Sequence, residues 1–497
     1  MMAFILNRVF KGFYRDSVFL MRLSRDLGGI DGINEAALMM ASPSNKQVLK
    51  DAGLLSNQSA TAESGDLILA INARDAITAQ DAADTIGPQI TTQTRATVKN
   101  TVWQPKTIHT AAKRVPEANL ALISVPGSFA AAEARKALNN GLHVMMFSDN
   151  VSIEDEINLK TQAYEHGLLM MGPDCGTAIL NGVPLAFANK VSRGGVGIIG
   201  ASGTGIQEVT TLISNNGSGI SHAIGVGGRD LRDEVGGIST LMAIDQLDND
   251  VETQQIVLIS KPPGAKVLPK VMERVGQSPK PFTICFIGAS NLDLPANVTA
   301  ARTLKDAAQA TLGKTEIIQF TYKHTKIPEG RTKIRGLYSG GTLAAETQLI
   351  LLDAGLNVAS NAAIPGAKKL SNEINTHKII DLGDDQYTQG RPHPMIDPEI
   401  RREPLEAAIA DTDVGLILID VVIGYGAHPN PAGQLADMLS SMRGKNNPTI
   451  IASVTGTEED PQVLSNQIQT LRSAGIDVAA SNADAAVAGL KLLELNN

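Results

Sequence analysis

Two cysteines, Cys175 and Cys285, are all that 497 residues contain. Two thiols cannot build a disulfide framework, and a reducing cytoplasm is the expected compartment. Aromatic residues make up only 3% of the chain, so its cores must be assembled from Ala, Ile, Leu and Val. With 46 glycines, this is the composition of an α/β protein with tight strand-to-helix turns rather than of an all-β sandwich. Basic residues are not in excess: 43 Lys and Arg against 51 Asp and Glu leave a net charge of −8, which argues against wrapping nucleic acid. No apolar stretch is long enough to span a bilayer, and the apolar start from Met1 to Val9 is too short for a signal h-region. No Cys/His cluster has metal-ligand spacing, so no metal is expected.

What remains is ordinary globular material, 43% hydrophobic and 19% charged, on a chain long enough for three or four domains. The expected boundaries are a small N-terminal α/β domain with linker (1–98), a partial Rossmann domain (99–190) and two further units (191–330 and 331–497). In the first, strands are predicted at Ala3–Phe10, Asn34–Met40 and Asp66–Asn72, with helices at Asp16–Leu27, Asn45–Ala52 and Ala79–Ile86. The Thr-rich stretch Gln89–Lys106 reads as a linker. From Asn119 onward short apolar runs alternate with helical patterns, the signature of parallel sheets that bind ligands at the strand C-termini. Predicted strands of the third unit are Val196–Ile199, His222–Gly225, Ile256–Ser260 and Phe282–Ile287. Those of the fourth are Ile334–Tyr338, Ile379–Leu382, Val414–Asp420, Thr449–Val454 and Asp477–Ala480. Asn291–Lys333 reads as a variable separator, and the two units look like a loose duplication.

Four motifs carry chemistry. In the first, a Gly-rich turn runs from Gly200 to Gly205 between the strand VGIIG and a helix. Gly200, Gly203 and Gly205 let a phosphate approach the backbone, Ser202 and Thr204 add hydroxyls, and a helix N-terminus adds free N–H groups. It is not a Walker A loop, because no Lys-Ser/Thr pair closes it. The second, Ser339, Gly340, Gly341 and Thr342, repeats that construction in the duplicate unit, so one anion could be shared by two helix starts. The third places Gly227 and Gly228 before Arg229, a guanidinium suited to phosphate or carboxylate; the plainer reading pairs Arg229 with Asp230 or Glu234. The fourth runs from Asp381 to Asp397 and holds Arg391 and His393 between prolines, with His393 a general acid or base and Arg391 and Asp397 its companions. A solvent-facing His on a capped turn is the plain alternative. Cys175, in Gly172-Pro-Asp-Cys-Gly176, reads as a buried structural thiol rather than a nucleophile.

The runs ISVPGSFAAAEARKALNNGLHVMMFSDN, GLLMMGPDCGT and VGIIGASGTG resemble the α subunit of succinyl-CoA synthetase and other NDP-forming acyl-CoA synthetases. IRGLYSGGTLAAE resembles the matching ligase domain of the β subunit. MMFSDN, MGPDCGTAI, IGASGTGIQE, GVGGRDL, LYSGGTLAAE and GRPHPMIDP together resemble the FdrA family over nearly the whole chain. The resemblance implies two flavodoxin-like CoA-ligase domains whose "power helices" hold a phosphoryl group between them, mapping onto the helices after Gly205 and Thr342.

It also implies CoA as the one candidate cofactor. Where the synthetases open with a Gly-rich CoA-binding turn, this chain has YRDSVFLM around Asp16 and Ser17, so CoA affinity is expected to be weak or absent. The stretch FIGASNLDLPANV from Phe286 has no His to be phosphorylated, and no segment resembles an ATP-grasp domain. The leading expectation is a subunit of a carbamoyl- or acyl-transferase that uses phosphate, or acyl or carbamoyl phosphate, as in oxamate carbamoyltransferase, working with other protein subunits and with neither nucleic acid nor membrane. The alternatives are an acyl-CoA synthetase subunit with a separate ATP-grasp partner, and a non-catalytic regulatory subunit.

Overall fold

Continuous apolar runs of four to eight residues, each followed by an amphipathic helix, bury both faces of a strand and demand helices on either side of the sheet. A computed structural model of the chain has this architecture in its larger part. It describes all residues except 1–3, 14–19, 21–22, 25–26, 64, 92–104, 291, 314–326, 371–375, 389–391, 443, 445–446 and 495–497. The described residues fall into two compact units, 1–104 with 385–396, and 105–384 with 397–497.

In the smaller unit an antiparallel sheet is built from Phe4–Phe10, Leu67–Ala73 and Ile33–Met40, with Leu67–Ala73 in the middle. That central strand, LILAINA, is buried almost throughout, and the helix Ala76–Thr91 packs against it. Most of the expected helix Asp16–Leu27 lies outside the described residues, yet Leu20, Leu23 and Leu27, spaced for one helical face, are all in the core. The expected linker falls largely outside them too, and the helix Ala76–Thr91 extends into its start.

The larger unit holds three sheets. Leu120–Ile123, His143–Met146 and Met170–Met171 form a parallel sheet in sequential order. A seven-stranded sheet follows, in which strands 220–225, 193–200, 255–260, 282–286 and 298–300 are neighbours in that order and parallel. Numbered along the chain, this is the doubly wound order 2-1-3-4-5 of flavodoxin-like folds. The hairpin Thr177–Leu180/Val183–Ala186 extends it antiparallel beyond strand 220–225. The third sheet is parallel throughout and repeats the order with strands 377–381, 333–338, 414–422, 449–455 and 477–479; Val358–Ser360 and Lys368–Lys369 are added at its edge. The fold class is therefore α/β, with a parallel Rossmann-like sheet, two flavodoxin-like units and a small N-terminal α/β domain.

The separator Asn291–Lys333 is partly regular: it contains Val298–Ala300 and the helix Leu304–Leu312, whose capping box links Thr303 and Asp306. The helix Leu304–Leu312 packs on the helix Gly203–Asn215, so this segment completes the first flavodoxin-like unit rather than dividing the two.

Candidate functional site

In a doubly wound sheet the functional crevice opens where the strand order reverses, above the C-terminal ends of strands 1 and 3. In the two flavodoxin-like units those strands end at Gly200 and Ser260, and at Tyr338 and Val422, with Asp420 two residues before the last. Each first strand turns directly into a 13-residue helix, Gly203–Asn215 or Gly341–Asp353. Both turns are brought to one place: the Ser202 hydroxyl is hydrogen-bonded to the Thr342 hydroxyl across the two units. A Cβ added to Gly205 would stand 3.2 Å from Thr342 Cγ2, and one added to Gly340 would stand 2.9 Å from Thr204 Oγ1. The two helices thus meet N-terminus to N-terminus.

The division of donors differs from turn to turn. Ser202 caps its own helix, its Oγ accepting from Gly205 N at 3.0 Å. The first intrahelical bonds are Ile206 N to Ser202 O and Ala344 N to Gly340 O, so the amides of Gly203 and Thr204, and of Gly341 and Thr342, precede any backbone ladder. Ser339 and Gly340 are engaged differently. Ser339 N and Oγ and Gly340 N all donate to the carboxylate of Asp420, at 2.7, 2.9 and 2.7 Å. Arg401 Nη2 donates to the same carboxylate at 2.7 Å, and both charged groups are buried. Ser339 and Gly340 therefore shape the turn, and the amides left at the helix start are those of Gly341 and Thr342.

Asp381 ends the strand His377–Asp381 beside Tyr338. Its Oδ2 stands 2.5 Å from where a Cβ on Gly341 would be, so the missing side chain makes room for a carboxyl at the helix start. Burial pushes its pKa up to about 7, with Gly383 N, which donates to Oδ1 at 2.9 Å, and Lys261 pulling the other way. The sequence motif that begins at Asp381 directed attention to Arg391, His393 and Asp397 rather than to Asp381 itself.

Farther along the paired helices sit Glu208 and Glu346, each six positions beyond its cap. Asn482 joins them, its N donating to Glu208 at 3.0 Å and its Nδ2 to Glu346 at 2.7 Å. Burial raises both carboxyls, Glu346 to about 8. They lock the two units together behind the turns.

The other expected residues that are described have partners of their own. Arg229 ion-pairs with Glu156 at 2.8 Å and donates to Val151 O at 2.9 Å. Glu156 in turn meets the buried Lys160, which also holds Asp230 at 2.7 Å. Arg229 is thus committed to a network fixing the Gly227–Gly228 loop to the helix Ile153–Glu165, and its partner is neither Asp230 nor Glu234. Gly227 has φ +87°, a conformation that requires glycine. Asp397 caps the 3-10 helix Pro398–Arg401, accepting from Glu399 N at 3.2 Å. His393 belongs to the smaller unit, where its Nδ1 accepts from Met395 N at 3.2 Å, whereas the paired turns belong to the larger. Arg391 lies outside the described residues.

Both thiols are buried, and burial raises the Cys175 pKa to about 12 and that of Cys285 further. The thiolate is the reactive form, so neither should be alkylated by iodoacetamide at pH 8 until denaturant is added. Mass spectrometry of the labelled native protein checks this, and rapid native labelling of Cys175 would return it to the candidate nucleophiles.

This geometry, paired helix starts at the switch points of two flavodoxin-like units, defines a protein of the CoA-ligase fold. Residues 337–491 match the CoA-ligase family, 191–291 the CoA binding domain family, and 2–104 the family described as "AllF, heavy metal-associated domain". The protein YahF of Escherichia coli (strain K12) is 41% identical over 492 residues, covering 94% of this chain and 95% of that protein, and the chain belongs to its family. The succinate–CoA ligase [ADP-forming] subunit alpha of Aquifex aeolicus is 30% identical over 30% of this chain and 50% of its own. The ADP-forming sulfoacetate-CoA ligase subunit SauD of Bilophila wadsworthia is 26% identical over 40% of this chain and 70% of its own. The chain spans about half the length of the succinate–CoA ligase α subunits it matches. Among solved structures, a dinucleotide-forming acetyl-coenzyme A synthetase of Ca. Korarchaeum cryptofilum aligns over 76% of this chain and 82% of that one, at 16% identity and a TM-score of 0.33.

These families imply two groups, a heavy metal and CoA. Residues 2–104 contain no Cys and no His, and no group of His, Cys, Asp or Glu among the described residues could hold a metal ion. Thiolate and imidazole donors are therefore absent from that stretch, and the soft donors in its sequence are the thioethers of Met2, Met21, Met39 and Met40. For CoA, the sheet of strands 120–123, 143–146 and 170–171 runs in sequential order and has no switch point. Among the described residues, no helix is long and apolar enough to cross a membrane.

Proposed function

We propose that this chain is the acyl-phosphate-handling subunit of an acyl-CoA-ligase-like enzyme, and that the phosphoryl group rests between the N-termini of the helices Gly203–Asn215 and Gly341–Asp353. The observation that carries this is the abutment of the two turns, with the amides of Gly203, Thr204, Gly341 and Thr342 not yet committed to their helices. Two helix dipoles and four N–H groups suit a phosphoryl group, and a fixed field aimed at developing charge stabilises a transition state without reorganisation. The Aquifex aeolicus and Bilophila wadsworthia relatives are CoA-ligase subunits, which supports this reading and its need for partner subunits, and the family shared with YahF supports its FdrA-like character.

A second reading is favoured by one observation. Residues 286–298 contain no His, so a phosphohistidine relay in the manner of the synthetases has no carrier in that stretch. The phosphoryl group would then enter as free phosphate or on a carbamoyl phosphate, and the chain would be a carbamoyltransferase subunit.

Calorimetry separates the readings. Phosphate and acetyl phosphate should bind the intact protein, and failure of both would remove the site. Carbamoyl phosphate binding much more tightly than acetyl phosphate would favour the second reading. CoA should show no saturable binding up to millimolar concentration; micromolar affinity would show that the larger unit holds CoA after all.

A further inference from the structure

We propose that Asp381 is the proton-transferring residue of the paired-helix site, its Oδ2 exchanging a proton with the group that leaves when a phosphate oxygen bonds to the acyl or carbamoyl carbon. This rests on the site assignment above.

The argument starts from position. Asp381 is 9% exposed, and its Oδ2 lies against the Cα of Gly341, the first residue of a 13-residue helix. Each of its other polar atoms has a partner. The backbone N and O bond to the Asn361 side chain at 2.9 and 2.8 Å, and Oδ1 accepts from Gly383 N. Among the described residues Oδ2 has no hydrogen-bond partner, although it sits where an anion would meet the Gly341 and Thr342 amides. Asn361 and Gly383 thus fix the carboxyl so that one oxygen is left for a ligand.

Charge explains why a carboxyl can stand beside an anion. An ionised Asp381 would repel a phosphoryl group, and a protonated one donates to it. The charged groups facing Asp381 are Lys261, which favours its ionised form, and Asp384 and Asp420, which oppose it. Asp420 is itself balanced by Arg401 at 2.7 Å. Burial outweighs the rest and leaves the carboxyl titrating near neutrality, where a general acid is most effective.

The step balances. An oxygen of HPO₄²⁻ forms a bond to the carbonyl carbon, the bond from that carbon to the leaving atom breaks, and the leaving atom takes the proton of Asp381. The new acyl phosphate monoanion returns its remaining proton to Asp381, so the products are the acyl phosphate dianion and the protonated leaving group. No oxidant, metal or nucleotide is needed.

The test uses sulfate, whose charge does not change between pH 6 and 8, and reads binding to the full chain by calorimetry. If only the protonated carboxyl admits the anion, affinity should fall about tenfold from pH 6 to pH 8, as one group titrating near 7 requires. Asp381→Asn, always neutral and a donor, should bind at pH 8 as the parent does at pH 6, with no pH dependence. Should that variant fail to fold by thermal melt, Asp381→Ser serves in its place, and it should likewise lose the pH dependence. A pH profile unchanged by the substitution would overturn the role of Asp381 and keep the site. Absence of sulfate and phosphate binding at every pH, in parent and variants alike, would overturn the site itself.

Discussion

Gly341→Val should abolish phosphate binding, and Gly203→Val should weaken it by about a hundredfold, the scale of losing one aimed donor from an anion hole. The mechanism is space rather than backbone strain. Neither glycine has a positive φ, so a side chain is conformationally allowed at both. At Gly341 a Cβ would stand 2.5 Å from Asp381 Oδ2, and the branched methyls of valine would reach farther, so the carboxyl must be displaced from the helix start. At Gly203 the nearest atom is Thr177 Oγ1 at 3.0 Å, which needs to give way by only a few tenths of an ångström. Gly203→Val should therefore fold like the parent, with its methyls standing over the first amides. If both turns serve one anion, the double variant should cost little more than Gly341→Val alone, because groups acting as a unit are not additive. Calorimetry with phosphate and a thermal melt of each variant decide the matter. Variants that fold and bind phosphate like the parent would detach the site from the paired helices.

Much of this arrangement was legible because it is local. A Gly-rich turn between an apolar strand and a helix announces itself in a dozen residues, and both turns were placed correctly between their strands and helices. Two other local signals were present and passed over. Asn181-Gly182, between TAIL and VPLA, is a strong hairpin signature, and both residues have the positive φ of a type I′ turn. Thr303 with Asp306 three positions on marks the start of the helix Leu304–Leu312 inside the supposed separator.

What sequence could not give is pairing across distance. The partner of Arg229 is Glu156, 73 positions earlier (229 − 156) on another helix, and no spacing rule connects them. The carboxylates that shape the second turn, Asp381 and Asp420, come from the two strands that flank strand Lys333–Tyr338 and converge only because both lie next to it in the sheet. In the one-dimensional pattern Asp381 is simply the polar end of an apolar run, and Asp420 a single polar residue inside one. The motif around His393 drew attention because it is polar and proline-bounded; its residues 385–396 group with the smaller unit, and its ends at Asp381 and Asp397 with the larger. Local composition marks a rigid loop; it does not say which sheet the loop serves.

Asp420→Ala should destabilise the protein by about 3–5 kcal/mol, the usual cost of leaving one member of a buried ion pair alone. Asp420 is fully buried and Arg401 is 5% exposed. The substitution strands a guanidinium, two amides and a hydroxyl at once: Arg401 Nη2, Ser339 N, Gly340 N and Ser339 Oγ. Arg401 Nη2 also reaches Ser339 Oγ at 3.3 Å, a long contact that cannot replace the charge. For a unit of this size the loss corresponds to a fall of roughly 10 °C in the melting temperature. Asp420→Asn should cost less, since its carbonyl oxygen can still accept from one amide while its NH₂ confronts Arg401. Adding Arg401→Met to Asp420→Ala removes the stranded charge and should recover more than half of the lost stability, as replacing both members of a buried pair usually does. Phosphate affinity should not return with it, because the amides of Ser339 and Gly340 would still lack the carboxylate that bends the turn toward Gly341. Melting temperature and phosphate affinity, measured on the same three variants, therefore separate two roles for Asp420. A double variant that regains both would reduce it to a counterion for Arg401, and a double variant that regains stability alone would show that it sets the geometry of the second helix start.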